Sequence, residues 1–239
     1  MLDRRAEAVR ERDKDAFLST VDREATRYRT EQRRIFANLA DVPLRSWTYR
    51  LAQTGGFEPS LGSGRRLAAK VELRYRVDGY DTAPVTSAEY VTLARRGGHW
   101  YVASDDSRTA RGGDGDRGAT DGRAPATVGA GAVEAVRGKR SLVLGVGQDR
   151  ARLAAIADTA DRAVPAVDAV WPDSWARRVV VEVPASLDAM AGLLGPPGRL
   201  PRHSGRHHRR DRPGGRHPAD RVIVNPRRTA SSAAWAARW

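Results

Sequence analysis

Lys70–Val77 reads KVELRYRV, and in it Val71, Leu73, Tyr75 and Val77 alternate strictly with Lys70, Glu72, Arg74 and Arg76. A period of two buries one face of a strand and leaves the other wet, as in an antiparallel sheet packed on one side. Working outward, Arg45–Leu51 (RSWTYRL) repeats the pattern, with Trp47, Tyr49 and Leu51 expected to point inward. Residues 89–105 (EYVTLARRGGHWYVASD) read as a hairpin about Arg95, Arg96, Gly97 and Gly98, because paired glycines supply the positive φ angles of a tight turn.

Upstream of these strands the period is helical. Ala6, Val9, Asp13, Ala16 and Phe17 follow helical spacing, and Asp13 and Asp15 are placed to break or re-cap the helix before DAFLSTVD. A second helix is expected over Glu24–Leu39, with Tyr28, Gln32, Ile35, Phe36 and Leu39 on one face and Pro43 as the stop. Helices followed by a twisted antiparallel sheet give an α+β class and a cone-shaped interior.

Downstream, residues 104–132 are rich in Gly, Ala, Arg, Asp and Thr with almost no large apolar side chain, the composition of a disordered linker. From Val133 the pattern is α/β. Arg140–Leu144 (RSLVL) is a strand, Gly145 and Gly147 make a turn, and Asp149 caps a long helix. Leu153, Ile156, Ala160, Val164, Val167 and Val170 form its packing stripe, with Pro165 expected to kink it. RVVVEV at 178–183 is the next strand, and Ser186 caps a short helix ending at Gly195. The expected division is 1–105 as an α+β domain, 106–132 as linker, 133–195 as a partial α/β fragment and 196–239 as a disordered Arg-rich tail.

Charge and composition narrow the functions available. The chain has 239 residues, a net charge of +13 and no cysteine, so disulfides, thiolate metal sites and thiol nucleophiles are excluded. Residues 199–239 hold eleven Arg and two Asp, +9 of the total, leaving +4 for the rest. No apolar run is long enough to cross a membrane and no signal-peptide pattern opens the chain. As written the product is expected in the cytoplasm, or outside it if an upstream signal or anchor precedes Met1.

Several constellations carry candidate chemistry. SLVLGVGQDRARLA could cradle a pyrophosphate at a helix N-terminus, but Arg150 holds the third glycine position, and the preferred reading is a glycine turn into a packing helix. His203, His207, His208 and His217 lie among Arg, Pro and Gly, where neighbouring guanidinium charges oppose a dication, so no specific metal site is expected. Asp78, Asp81 and Glu89 sit at turn or outer strand positions with no histidine partner, and no Ser-His-acid set stands out, so no catalytic residue is assigned. Trp47, Tyr49, Tyr75, Tyr90, His99 and Trp100 are the candidate lining of the cone, either a ligand pocket or an aromatic core. Arg206, Arg209, Arg210, Arg212 and Arg216 are candidate contacts to anionic polymers through phosphate neutralisation.

The helix containing RDKDAFLSTVD, the strands after it and the hairpin ending GGHWYVASD resemble NTF2-like (SnoaL-like) domains. Over residues 133–195, and again at ADRVIVNP (219–226), the text resembles the front of the peptidase-MA-like zinc metallopeptidases of high-GC Gram-positive bacteria, which are secreted or membrane-anchored. In that family a strand, a long helix, a VVVEVP strand, a helix and a VIVNP strand precede a catalytic HExxH helix, and the resemblance implies zinc only where that helix is present. HExxH does not occur in this sequence.

Only Lys14, Lys70 and Lys139 among 42 basic residues are lysines, which points to a GC-rich gene. Pro, Gly, Arg and His make up 20 of the 23 residues from Pro196 to Pro218, the vocabulary of such a gene read out of frame. The expectation is a truncated, non-catalytic relative carrying displaced-frame text, with polyanion binding by the tail and ligand binding in the cone as alternatives.

Overall fold

The computed structural model describes residues 1–105, 132–171, 175–194 and 218–226. The expected linker, and the tail apart from 218–226, lie outside the described residues. The class is α+β, in two compact units: Met1–Asp78 with Pro84–Pro125, and Gly79–Ala83 with Ala126–Trp239.

In the first unit three helices precede four strands: α1 (Leu2–Arg10), α2 (Lys14–Ser19), α3 (Thr26–Leu39), then β1 (Leu44–Thr54), β2 (Arg66–Val77), β3 (Val85–Arg96) and β4 (His99–Asp105). Helix α1 ends at Arg10, Arg12 takes a left-handed φ of 59°, and the Asp13 carboxylate accepts the Ala16 N–H at 2.9 Å to start α2. The break that the two aspartates predict is therefore a true cap. The strands form one antiparallel sheet in sequence order. Gly97 and Gly98, at φ of 55° and 83°, close the β3–β4 turn.

The alternation in β2 sets the two faces of this sheet. Val71, Leu73, Tyr75 and Val77 are buried, and register pairs Trp47 with Tyr75, Tyr49 with Leu73 and Val71 with Glu89 on the same inner face. Leu51 has inner parity yet is half exposed. The ladder shifts register between Leu51 and Gln53, which turns the strand end away. Ala69, Val71, Val91, Leu93 and Val102 make a core cluster, against which Met1, Leu2, Tyr28, Tyr49, Leu67 and Trp100 pack.

The second unit holds β5 (Val133–Arg137), β6 (Ser141–Val146), α4 (Arg150–Val170), β7 (Val179–Val183), α5 (Leu187–Leu194) and β8 (Asp220–Ile223). Strand β5 pairs antiparallel with β6, while β6, β7 and β8 run parallel, in the order β5-β6-β7-β8. Asp149 caps α4 by accepting the Arg152 N–H at 2.8 Å. The stripe on α4 is buried at Leu153, Ile156 and Val164, but Val167 and Val170 are exposed. The cause is length: at about 1.5 Å per residue the 21-residue helix far outruns a six-residue strand at about 3.3 Å per residue.

Two carboxylates tie this unit together. Asp161 accepts the Arg140 N–H and the Ser141 hydroxyl, both at 2.8 Å, and so closes the β5–β6 turn. Asp81, buried, takes both guanidinium nitrogens of Arg221, at 2.7 and 3.0 Å, together with the Ala219 N–H at 2.8 Å. Expected at a turn or an outer strand position, it follows the turn at 78–80 and is buried. Among the described residues no helix is long and apolar enough to cross a membrane.

Candidate functional site

The polar interior of the first unit is built from α1, α2, α3 and the inner sheet face. Arg5 lies in the apolar stripe of α1 beside Ala6 and Val9, so helix packing carries its guanidinium into the core. There it donates to Thr20 Oγ1 at 3.0 Å and to Gln32 Oε1, and stacks 4.0 Å from the centre of the Phe17 ring. Gln32 reaches this point because Tyr28, Gln32 and Phe36 recur at the four-residue spacing of one helix face.

A small cavity opens beside this group, lined by Leu2, Arg5, Tyr28, Tyr49 and Glu89 over Val71, Val91 and Val102. Burial and the Glu89 charge hold the Tyr49 phenol up at about 12, against the opposing pull of Arg5. Burial likewise raises Tyr28, with Arg5 opposing and the Asp105 and Glu89 charges adding to the rise. Both phenols are therefore neutral hydrogen-bonding groups at physiological pH rather than bases. The cavity measures about 10 Å³, space for about one water. Organic ligands occupy pockets of roughly 300 Å³ and more.

Of the six candidate lining residues, Trp47, Tyr49 and Tyr75 come together, while Tyr90 and His99 do not join them. Trp47 and Tyr75 are buried against each other with ring centres 5.6 Å apart. Tyr49 borders the small cavity. Tyr90 stands on the opposite face of the sheet, in register with Lys70 and edge-on to Phe57 at 5.9 Å. His99 is exposed and Trp100 half-buried; with Met1, Arg4 and Gly98 they border an open surface concavity of about 310 Å³.

Sequence reasoning missed Arg5 and Tyr28 as cavity residues and placed Glu89 at an outer position. Its Cα partner is Val71, so Glu89 faces inward. The signal for Arg5 was available as a charged residue within an apolar helical stripe. For Glu89 it was the parity it shares with Val91 and Leu93.

Among the described residues no group of three or more His, Asp or Glu side chains is arranged to hold a metal ion. His203, His207, His208 and His217, and Arg206, Arg209, Arg210, Arg212 and Arg216, lie outside the described residues. In the second unit Gly145 packs against Leu153 and Gly147 turns at a φ of 66°. Comparison with known proteins finds no matching family model and no significantly similar curated sequence.

Proposed function

We propose that this chain is a non-catalytic relative of the peptidase-MA-like zinc metallopeptidases, with an NTF2-like unit ahead of a metallopeptidase-like α/β unit. The observation that carries the reading is the path of the second unit. Strand β6, long helix α4, strand β7, helix α5 and strand β8 follow one another in the order the resemblance implies, with β6, β7 and β8 parallel neighbours. The DRVI of ADRVIVNP pairs residue for residue with VVVE of β7, which supports its origin as a strand of this sheet. Three helices ahead of a four-stranded antiparallel sheet support the NTF2-like reading of the first unit.

The residues present do not fit zinc. Of the five histidines only His203 and His207 stand four apart, and Ser204 follows the first where HExxH requires glutamate. A cavity of about 10 Å³ gives no support to a ligand inside the cone. The test is a fluorogenic peptide hydrolysis assay on the purified chain, paired with elemental analysis for zinc. No hydrolysis above background and substoichiometric zinc are expected; chelator-sensitive hydrolysis overturns the reading.

A further inference from the structure

We propose that the outward face of the first sheet binds single-stranded nucleic acid through its phosphates, with Arg50 and Arg74 as the principal contacts. The inference is independent of the family reading above and uses none of residues 196–239. Register pairs Ser46 with Arg76, Thr48 with Arg74 and Arg50 with Glu72 across β1 and β2. Across β2 and β3 it pairs Arg74 with Thr86, Glu72 with Ala88 and Lys70 with Tyr90. The result is a grid with strands about 4.8 Å apart and same-face neighbours about 6.8 Å apart along each strand.

Among the described residues of that grid, Arg50 and Arg74 stand on either side of the Glu72 carboxylate. Glu72 lies between two guanidinium groups, 3.8 Å from Arg50 Nη2 and 3.9 Å from Arg74 Nε. These distances are too long for hydrogen bonds, and the Arg50 and Arg74 side chains are 74% and 53% exposed. Planar guanidinium forks presented to solvent in this way match phosphate oxygens bidentately. At the Lys70 end the Tyr90–Phe57 pair adds aromatic surface, with Lys70 Nζ 5.6 Å from the centre of the Tyr90 ring. Two exposed guanidinium groups on one sheet face suit a flexible strand whose phosphates can follow them, whereas a rigid duplex meets a twisted sheet along one line.

The test is fluorescence anisotropy of a short labelled oligothymidylate titrated with the full chain at several salt concentrations. For Arg50→Gln/Arg74→Gln, affinity near 0.1 M salt is expected to fall roughly ten- to thirtyfold, and the log–log salt slope to become shallower by about 1.4, at about 0.7 per phosphate contact on a single strand. Glu72→Gln is expected to tighten binding by roughly two- to fivefold, the range of a weak exposed charge interaction. A double variant that is folded by circular dichroism and binds with the parent affinity and slope overturns the proposal. So does stronger binding of duplex DNA or of a heparin oligosaccharide to the parent than of oligothymidylate. If the double variant fails to fold, Glu72→Gln decides: tighter binding supports the surface and unchanged affinity overturns it.

Discussion

Arg5 carries a guanidinium group into a largely apolar core, and desolvating it is costly. Thr20, Gln32 and the Phe17 ring offset that cost, while the inward Glu89 contributes an opposite charge to the same cavity. Arg5→Met keeps most of the volume but strands the Gln32 oxygen, and it should lower stability by about 2–3 kcal/mol. In urea unfolding followed by tryptophan fluorescence, the midpoint should fall with the m-value unchanged. Arg5→Lys should recover only part of the loss, since an ammonium lacks the two-pronged fork. Equal stability of Arg5→Met and parent would show the network to be neutral. At this scale the sequence was legible only where parity is unambiguous. β2 alternates cleanly, but residues 88–94 of β3 (AEYVTLA) carry apolar groups on both parities, so the parity Glu89 shares with Val91 and Leu93 was a weak signal that only strand pairing settled.

Elements show the same division between local signal and packing. The β3–β4 turn at Gly97 and Gly98, the cap at Asp13 and the cap at Asp149 agree with their local residues, because turn and cap chemistry acts over three or four positions. The packing of α4 on β6 depends instead on a missing side chain. A Cβ on Gly145 would lie 2.5 Å from Leu153 Cδ2, and Leu153 is fully buried with little room to move. Gly145→Ala should therefore lower stability by about 1–3 kcal/mol, the cost of overpacking, although alanine favours a strand no less than glycine does. A thermal scan checks it: a melting temperature at or above that of the parent would show that the helix can lift without penalty. The exposure of Val167 and Val170 teaches the complementary point, since periodicity reports a stripe but not where the partner sheet ends.

Over the whole molecule, acid stability should rest on a few aspartates, with at least one in each unit. Burial pushes Asp22 up, but hydrogen bonds from Arg96 and the Glu24 N–H and the charges of Arg96 and Arg66 outweigh it, so its carboxyl titrates below the ordinary range. Burial likewise opposes, and the Arg140, Lys139 and Ser141 donors more than overcome, the same balance at Asp161. The Arg177 hydrogen bond lowers Asp168, with Trp175 adding to it. A carboxyl whose folded pKa is depressed contributes stability that is complete above its unfolded value of about 3.9 and is lost as pH falls through the folded one. Urea midpoints measured from about pH 5 down to about pH 2 should fall steeply for the parent. Asp22→Asn/Asp161→Asn should be weaker at the upper end and converge on the parent at the lower end. Parallel curves would show that neither carboxylate carries the acid sensitivity.

The sequence by itself determined the class, the alternation of β2, the tight hairpin, the helix caps and the succession β6, α4, β7 and α5, since each depends on residues a few positions apart; it did not show β5, and it placed β8 within an expected disordered tail. Only the tertiary structure decided that Arg5 and Glu89 face one small cavity, that Tyr90 leaves the supposed cone lining, and that Asp81 anchors Arg221 across 140 residues. Those outcomes depend on strand register and close packing, which join residues far apart in the chain and leave no local pattern to read.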